Sequence, residues 1–172
     1  AYASAGSVAL LGLIVAAFPP DWNRQQLDEG VYQRPEMFMD FGVPRIPIPG
    51  IEEDELLFYE EGLNTTVSVH RIPDGLVMRV NGKTDASEMD MNTQVLSGHL
   101  PILFGDASDE TLVIGYASGI TAGAVALHDP ERLAIAEIEP EIIAASRYFE
   151  ELNHRPLDAP FTERIVDDGR HY

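Results

Sequence analysis

Thr111 to Gly123 reads TLVIGYASGITAG, and an acidic residue, Glu137, follows in AIAEIEPE (134–141). A short apolar run ends in Gly115. Small residues then open a helical stretch, and a second apolar run closes on a carboxylate 22 residues after that glycine. Gly115 and Gly119 flank Tyr116-Ala117-Ser118, so backbone at the strand end can approach a ligand closely. The helix that follows offers unpaired N–H groups. A carboxylate at Glu137 can accept hydrogen bonds from both ribose hydroxyls of a nucleoside. The layout suits a nucleoside-containing cofactor on an open α/β sheet. Two plainer readings stand beside it: a tight structural βα turn, and Glu137 or Glu139 as a charge favourable to the next helix start. A phosphate loop is excluded because no Gly-Lys-Ser/Thr follows. Ser118 does not stand in a G-x-S-x-G elbow, which leaves a serine-hydrolase reading little support.

The alternation continues outward from this stretch. Strand TLVIG (111–115) precedes a helix over 119–127. Strand LAIAEI (133–138) precedes a helix over 140–152, which begins with Pro140 at a favoured first-turn position. RIV (164–166) reads as a third strand. Repeated β-α-β with continuous apolar strands predicts a parallel sheet buried on both faces. Asp167-Asp168-Gly169 closes the third strand, either as carboxylates pointing into a ligand crevice or as an ordinary Asp-Gly turn.

Upstream, LLFYEEG (56–62), TTVSVHR (65–71) and LVMRV (76–80) are short β-rich runs. Turn signals at 62–64, 73–75 and 81–82 separate them, so a small antiparallel sheet of three or four strands is expected. Ala86 to Leu100 has helical spacing, with Met89, Thr93, Leu96 and Leu100 on one face and Pro101 after it. Asp85, Glu88 and Asp90 at its start can hold a cationic amine or serve as first-turn charges. The resulting division is 1–18, 19–50, 51–85 and 86–172. Residues 19–50 are proline-rich and read as a linker. Ala1 to Phe18 carries no charge and matches the lower limit of a membrane span, with Pro19-Pro20 ending it and Trp22 at an interfacial position. It reads as the end of a transmembrane helix, with a buried or exposed helix of a fragment as the alternative.

Twenty-nine acidic and 11 basic side chains give a formal charge of -18, which argues against nucleic acid; it suits a cationic substrate, or serves only solubility or a salty habitat. With no cysteine, disulfides and cysteine metal sites are excluded. The five histidines show no metal spacing.

Taken together, YEEGLNTTVSV (59–69), NGKTDAS (81–87), TQVLSGHLP (93–101), LVIGYASGITAGAV (112–125), EIEPEIIAASRYF (137–149) and VDDGRHY (166–172) resemble the spermidine synthase (polyamine aminopropyltransferase) family. The resemblance covers about residues 50 to 172, and with the apolar segment before it points to the bacterial membrane-fused branch. It implies an α/β fold: a small N-terminal antiparallel β-domain, then the first half of a methyltransferase-like (Rossmann-like) parallel sheet. It implies aminopropyl transfer from decarboxylated S-adenosylmethionine, as co-substrate, to a diamine such as putrescine, without a metal. By resemblance, Glu137 binds the ribose hydroxyls and Asp168 contacts adenine. The Gly115–Gly119 turn with Ser118 faces the sulfonium and amine end, and Gln94 lies near the diamine. The family's turn usually has Asp where this chain has Ser118, and glycines where it has Tyr116 and Ala117. The family's catalytic aspartate is expected beyond Tyr172, so this chain reads as a fragment. The implied location is the bacterial inner membrane, with the synthase-like part cytoplasmic and a homodimer left open. Two other readings are kept: an S-adenosylmethionine-dependent methyltransferase, for which Ser118 speaks, and a non-catalytic binding module of a membrane protein.

Overall fold

The computed structural model describes residues 54–105 and 109–172, together with 12–13, 15–17, 24–28, 39–40 and 43–44. Most of the expected membrane segment and linker lies outside the described residues. Among the described residues no helix is long and apolar enough to cross a membrane. Within the expected linker, α1 (Arg24–Leu27) is a single helical turn, and β1 (Met39–Asp40) pairs antiparallel with β2 (Val43–Pro44).

Four strands follow: β3 (Glu55–Glu61), β4 (Thr66–Ile72), β5 (Gly75–Val80) and β6 (Lys83–Ser87). They form an antiparallel sheet in sequence order. The β5–β6 turn uses Asn81 and Gly82, both at positive φ (51° and 73°), as a two-residue hairpin of right-handed twist requires. The Asn81 carboxamide oxygen also accepts from Thr66 N–H at 2.9 Å, tying this turn to β4.

The helix expected over 86–100 starts later and ends later. Ala86 and Ser87 are buried in β6, a 3-10 turn spans Glu88–Asp90, and α2 runs Met91–Phe104 with Pro101 inside it. The apolar stripe read as its packing face is turned to solvent: Met89, Leu96 and Leu100 are 68%, 52% and 44% exposed. The cause is close helix packing through small residues. A side chain at Gly98 would sit 2.6 Å from the Ala124 methyl and from Thr121 O, so only glycine lets α2 approach α3 (Ile120–Ala126) this closely. That contact fixes which side of α2 faces inward, and the larger residues are left outside.

A parallel three-stranded sheet completes the fold, in the order β7 (Glu110–Ile114), β8 (Arg132–Ala136), β9 (Thr162–Ile165). Between β8 and β9 the expected single helix is three pieces: α4 (Pro140–Ala145), a 3-10 turn Ser146–Phe149 and α5 (Glu150–Asn153). The architecture is therefore α/β, with an antiparallel sheet followed by a parallel one. One core joins the two sheets: Val67, Val69 and Met78 cluster with Val113, Leu133, Ile135, Ile142 and Phe149. The parallel sheet is covered on the Val113 face. On its other face Leu112 and Ile114 are exposed, so the expected burial on both faces holds only for β8.

Candidate functional site

The carboxyl ends of β7 and β8 carry the turn Gly115–Gly119 and the carboxylate of Glu137. Gly115 (φ 82°), Ala117 (φ 47°) and Gly119 (φ 81°) all adopt left-handed backbone. Glycine removes the steric cost of that conformation at two of the three. A side chain at Gly115 would meet nothing within 4 Å, so the space over the turn's first residue is open. At Gly119 it would meet the Tyr116 ring at 2.7 Å. Tyr116 is buried beneath the turn, and that burial pushes its hydroxyl up to a pKa of about 12. It is packing material here, not a titrating group.

Glu137 is 4% exposed and accepts from Tyr116 N–H at 2.8 Å and from Glu139 N–H at 3.0 Å. No cation pairs with it among the described residues. A carboxylate offers about four acceptor positions, so two backbone donors hold it in place and leave capacity for further donors such as hydroxyls. Glu139 does something else. It shows no side-chain capping bond to α4. It is buried against the β3–β4 hairpin, where Asn64 Nδ2 donates to it at 3.4 Å and where a side chain at Gly62 would overlap it. A hydrogen bond with Glu141 keeps the Glu139 carboxyl below the usual range and raises that of Glu141.

Gln94 and Ser118, far apart in sequence, are brought together. The Ser118 hydroxyl donates to Gln94 Oε1 at 2.6 Å, and the Gln94 amide donates to Ser87 O at 2.9 Å. Thr121 Oγ1 donates to Gln94 O at 3.0 Å, fixing the start of α2 to α3. The junction is neutral throughout. Asp168 follows β9 and caps the 3-10 turn Gly169–His171, accepting from Arg170 N–H at 2.9 Å. The Arg170 guanidinium holds its carboxyl well below the usual range. Gly169 lies against Ile114, which brings this turn to the end of β7. Of the acidic residues before α2, Asp85 lies in β6 and pairs with Lys83 at 3.2 Å, while Glu88 stands in the first turn of the 3-10 segment and accepts from Leu76 N–H at 3.0 Å. No group of three potential metal ligands occurs among the described residues. Two clefts, of about 640 and 460 Å³, are lined by Arg71, Arg147, Tyr148 and Arg155 and by Tyr116, Ser146, Asn153 and Arg164, and neither includes Glu137 or Asp168. The candidate site is an open shelf at the strand ends.

A second polar cluster lies on the antiparallel sheet. His70 is fully buried, with Nε2 at 2.6 Å from Asp28 and Nδ1 at 2.5 Å from Asp54. Arg79 reaches Asp54 at 3.0 Å, and the Ser68 hydroxyl donates to Asp28. Burial opposes charge on the ring, but the bonds to Asp28 and Asp54 prevail and its pKa is raised. Burial likewise opposes charge on Asp54, and His70 and Arg79 bring its pKa below the ordinary value. The only sequence signal for this cluster was a polar residue at 68 and at 70 within an apolar strand.

No known protein family matches the chain by sequence, and no curated protein does. Solved structures do. A spermidine synthase in complex with the transition-state analogue AdoDATO, and the spermidine synthase of Thermotoga maritima, each align with a TM-score of 0.64 at 23% identity. Each alignment covers 69% of this chain and 42% of the neighbour, so the chain spans less than half the length of these relatives. The likeness is one of fold: this chain has the fold of the spermidine synthases, a methyltransferase-like α/β fold with an antiparallel sheet before it.

Proposed function

We propose that the chain carries the nucleoside-binding part of a spermidine synthase-like aminopropyltransferase. The observation that carries this reading is Glu137: a buried carboxylate without a cation, held by two backbone N–H groups beside an open glycine turn. In this reading Glu137 receives the ribose hydroxyls, the Gly115–Gly119 turn faces the sulfonium end, Asp168 approaches adenine and Gln94 lies toward the diamine. The reaction is attack of an amine nitrogen on the propyl carbon next to the sulfonium. The C–N bond forms, the C–S bond breaks with its electron pair going to sulfur, and the nitrogen loses a proton. The site's contribution is mainly positioning. The AdoDATO complex of one structural neighbour supports a ligand of the decarboxylated S-adenosylmethionine type. The net charge of -18 suits a dicationic acceptor. The uncharged length of 1–18 speaks, from sequence alone, for membrane attachment, and the bacterial inner membrane with this part on the cytoplasmic side follows only from the family resemblance.

A second reading, an S-adenosylmethionine-dependent methyltransferase, is favoured by one observation. The turn meets α2 through the neutral Ser118–Gln94 bond, with no carboxylate on either side chain to repel the carboxylate that intact S-adenosylmethionine carries and its decarboxylated form lacks. Calorimetric titration with decarboxylated and with intact S-adenosylmethionine separates the two. Tighter binding of the decarboxylated form supports the transferase reading, and tighter binding of the intact form replaces it with the methyltransferase.

A further inference from the structure

Ser118 is held from two sides. Its hydroxyl meets Gln94 in front, and its carbonyl accepts from Asn153 Nδ2 at 2.8 Å behind. Asn153 is 2% exposed and lies at the end of α5, 35 residues from the turn. The same Nδ2 donates to Ser146 O at 3.3 Å, and Oδ1 accepts from Arg155 N–H at 2.9 Å. All three bonds are to backbone, so the side chain is fixed in one orientation. Its own backbone is wedged as well. The Asn153 carbonyl occupies the place a side chain at Gly123 would take. His154 (φ 57°) and Arg155 (φ 51°) follow in left-handed conformation, which non-glycine residues adopt only where surroundings over-determine them. A side chain at Gly119 would stand 2.9 Å from Asn153 Nδ2. The amide thus fills the space directly behind the turn's last residue.

We propose that Asn153 is the positioning residue of the Gly115–Gly119 turn, setting from behind the backbone geometry that receives the nucleoside. The proposal rests on the nucleoside reading given above. Three of the turn's five residues are left-handed; one internal bond, Gly119 N–H to Tyr116 O at 2.8 Å, closes it, and Asn153 supplies the one side-chain donor to its carbonyls among the described residues. The residue touches no ligand position itself; it acts through Ser118.

The test uses the full chain and 5′-methylthioadenosine, the nucleoside thioether shared by the aminopropyl and methyl donors. Asn153→Leu is expected to lower its affinity at least tenfold by calorimetry, well below the melting temperature. In the free protein, amide exchange at residues 118–120 is expected to quicken at least tenfold while β4 and β5 keep their rates. Asn153→Asp gives a signature that a merely structural role does not. A protonated carboxyl can donate to Ser118 O and an ionised one cannot, so its affinity relative to wild type falls as pH rises. Wild-type affinity in Asn153→Leu, exchange that quickens equally in both sheets, or a flat relative pH profile in Asn153→Asp overturns the proposal. Absence of binding by the wild type instead overturns the nucleoside reading, and the exchange pattern still decides whether Asn153 positions the turn.

Discussion

Around Ser118 the buried polar atoms are neutral: a hydroxyl, two carboxamides and backbone carbonyls, bonded in a chain from Ser87 to Ser146. Around His70 they are charged, with Asp28, Asp54 and Arg79 gathered on one imidazole. Both ring nitrogens of His70 face carboxylate oxygens, an arrangement that favours the protonated ring. Among the described residues two acidic and two basic groups meet in the cluster, and its effect is to hold the segment at Asp28 on the antiparallel sheet. Glu137, beside the turn, has no counter-charge among the described residues, and two N–H dipoles hold its carboxylate and leave it capacity for further donors. The contrast separates a polar cluster that locks structure from one that can receive a ligand.

The largest effect is expected from removing the centre of the charged cluster. His70→Ala removes the buried partner of two carboxylates and should cost about 3–5 kcal/mol, as breaking a buried ion pair does. Denaturant midpoints measure it, and nucleoside affinity at low denaturant should stay within about twofold, since the effect is one of stability alone. An equal loss of affinity would break the separation. Next is Gly119→Ala, which forces a methyl into left-handed backbone (φ 81°) and toward the Tyr116 ring. It should cost about 2 kcal/mol and, unlike the His70 change, lower affinity at least tenfold.

A pH series sharpens the same contrast. His70 has its pKa raised in the fold. Its contribution is fully present below about pH 6.5, the unfolded value, and is lost as pH rises through the raised one. Asp54, with its pKa lowered, contributes above about pH 3.9 and loses that as pH falls through the lowered value. Urea midpoints should therefore fall on the alkaline side of pH 6.5, and His70→Ala should remove that fall. The smallest effect is expected on the solvent-facing stripe of α2. Leu96→Glu should change stability by no more than about 0.5 kcal/mol, whereas a helix packed through that stripe would lose several times as much.

Much of the fold was legible because local patterns and tertiary outcome agree. The alternation around Gly115 and Glu137, the Asn81-Gly82 hairpin and Pro140 at a helix start each state their structure within a few residues. What failed to read required distant partners. Met89, Leu96 and Leu100 have the spacing of a packing face, but Gly98 meeting Ala124 decides the orientation of α2, and that contact is invisible until both helices are placed. Glu139 looks like a helix-start charge and is held instead by the Asn64 hairpin. Asp28 falls in a proline-rich stretch and reaches His70. At the site, Gly115, Ser118, Gly119 and Glu137 were marked by position along the chain and Gln94 by resemblance. Asn153 carried no signal, because its role depends on a carbonyl 35 residues away.

The central claim is that Glu137 and the glycine turn form a nucleoside site. Its most direct measurement is calorimetric titration of decarboxylated S-adenosylmethionine into the wild type and Glu137→Gln. The amide places a donor against backbone N–H groups and removes charge-assisted bonds worth about 1.5–3 kcal/mol each. Binding by the wild type and at least a tenfold loss in Glu137→Gln, both titrated well below the variant's lowered melting temperature, is the required result. Equal affinity in the two proteins, or no binding by the wild type, contradicts it.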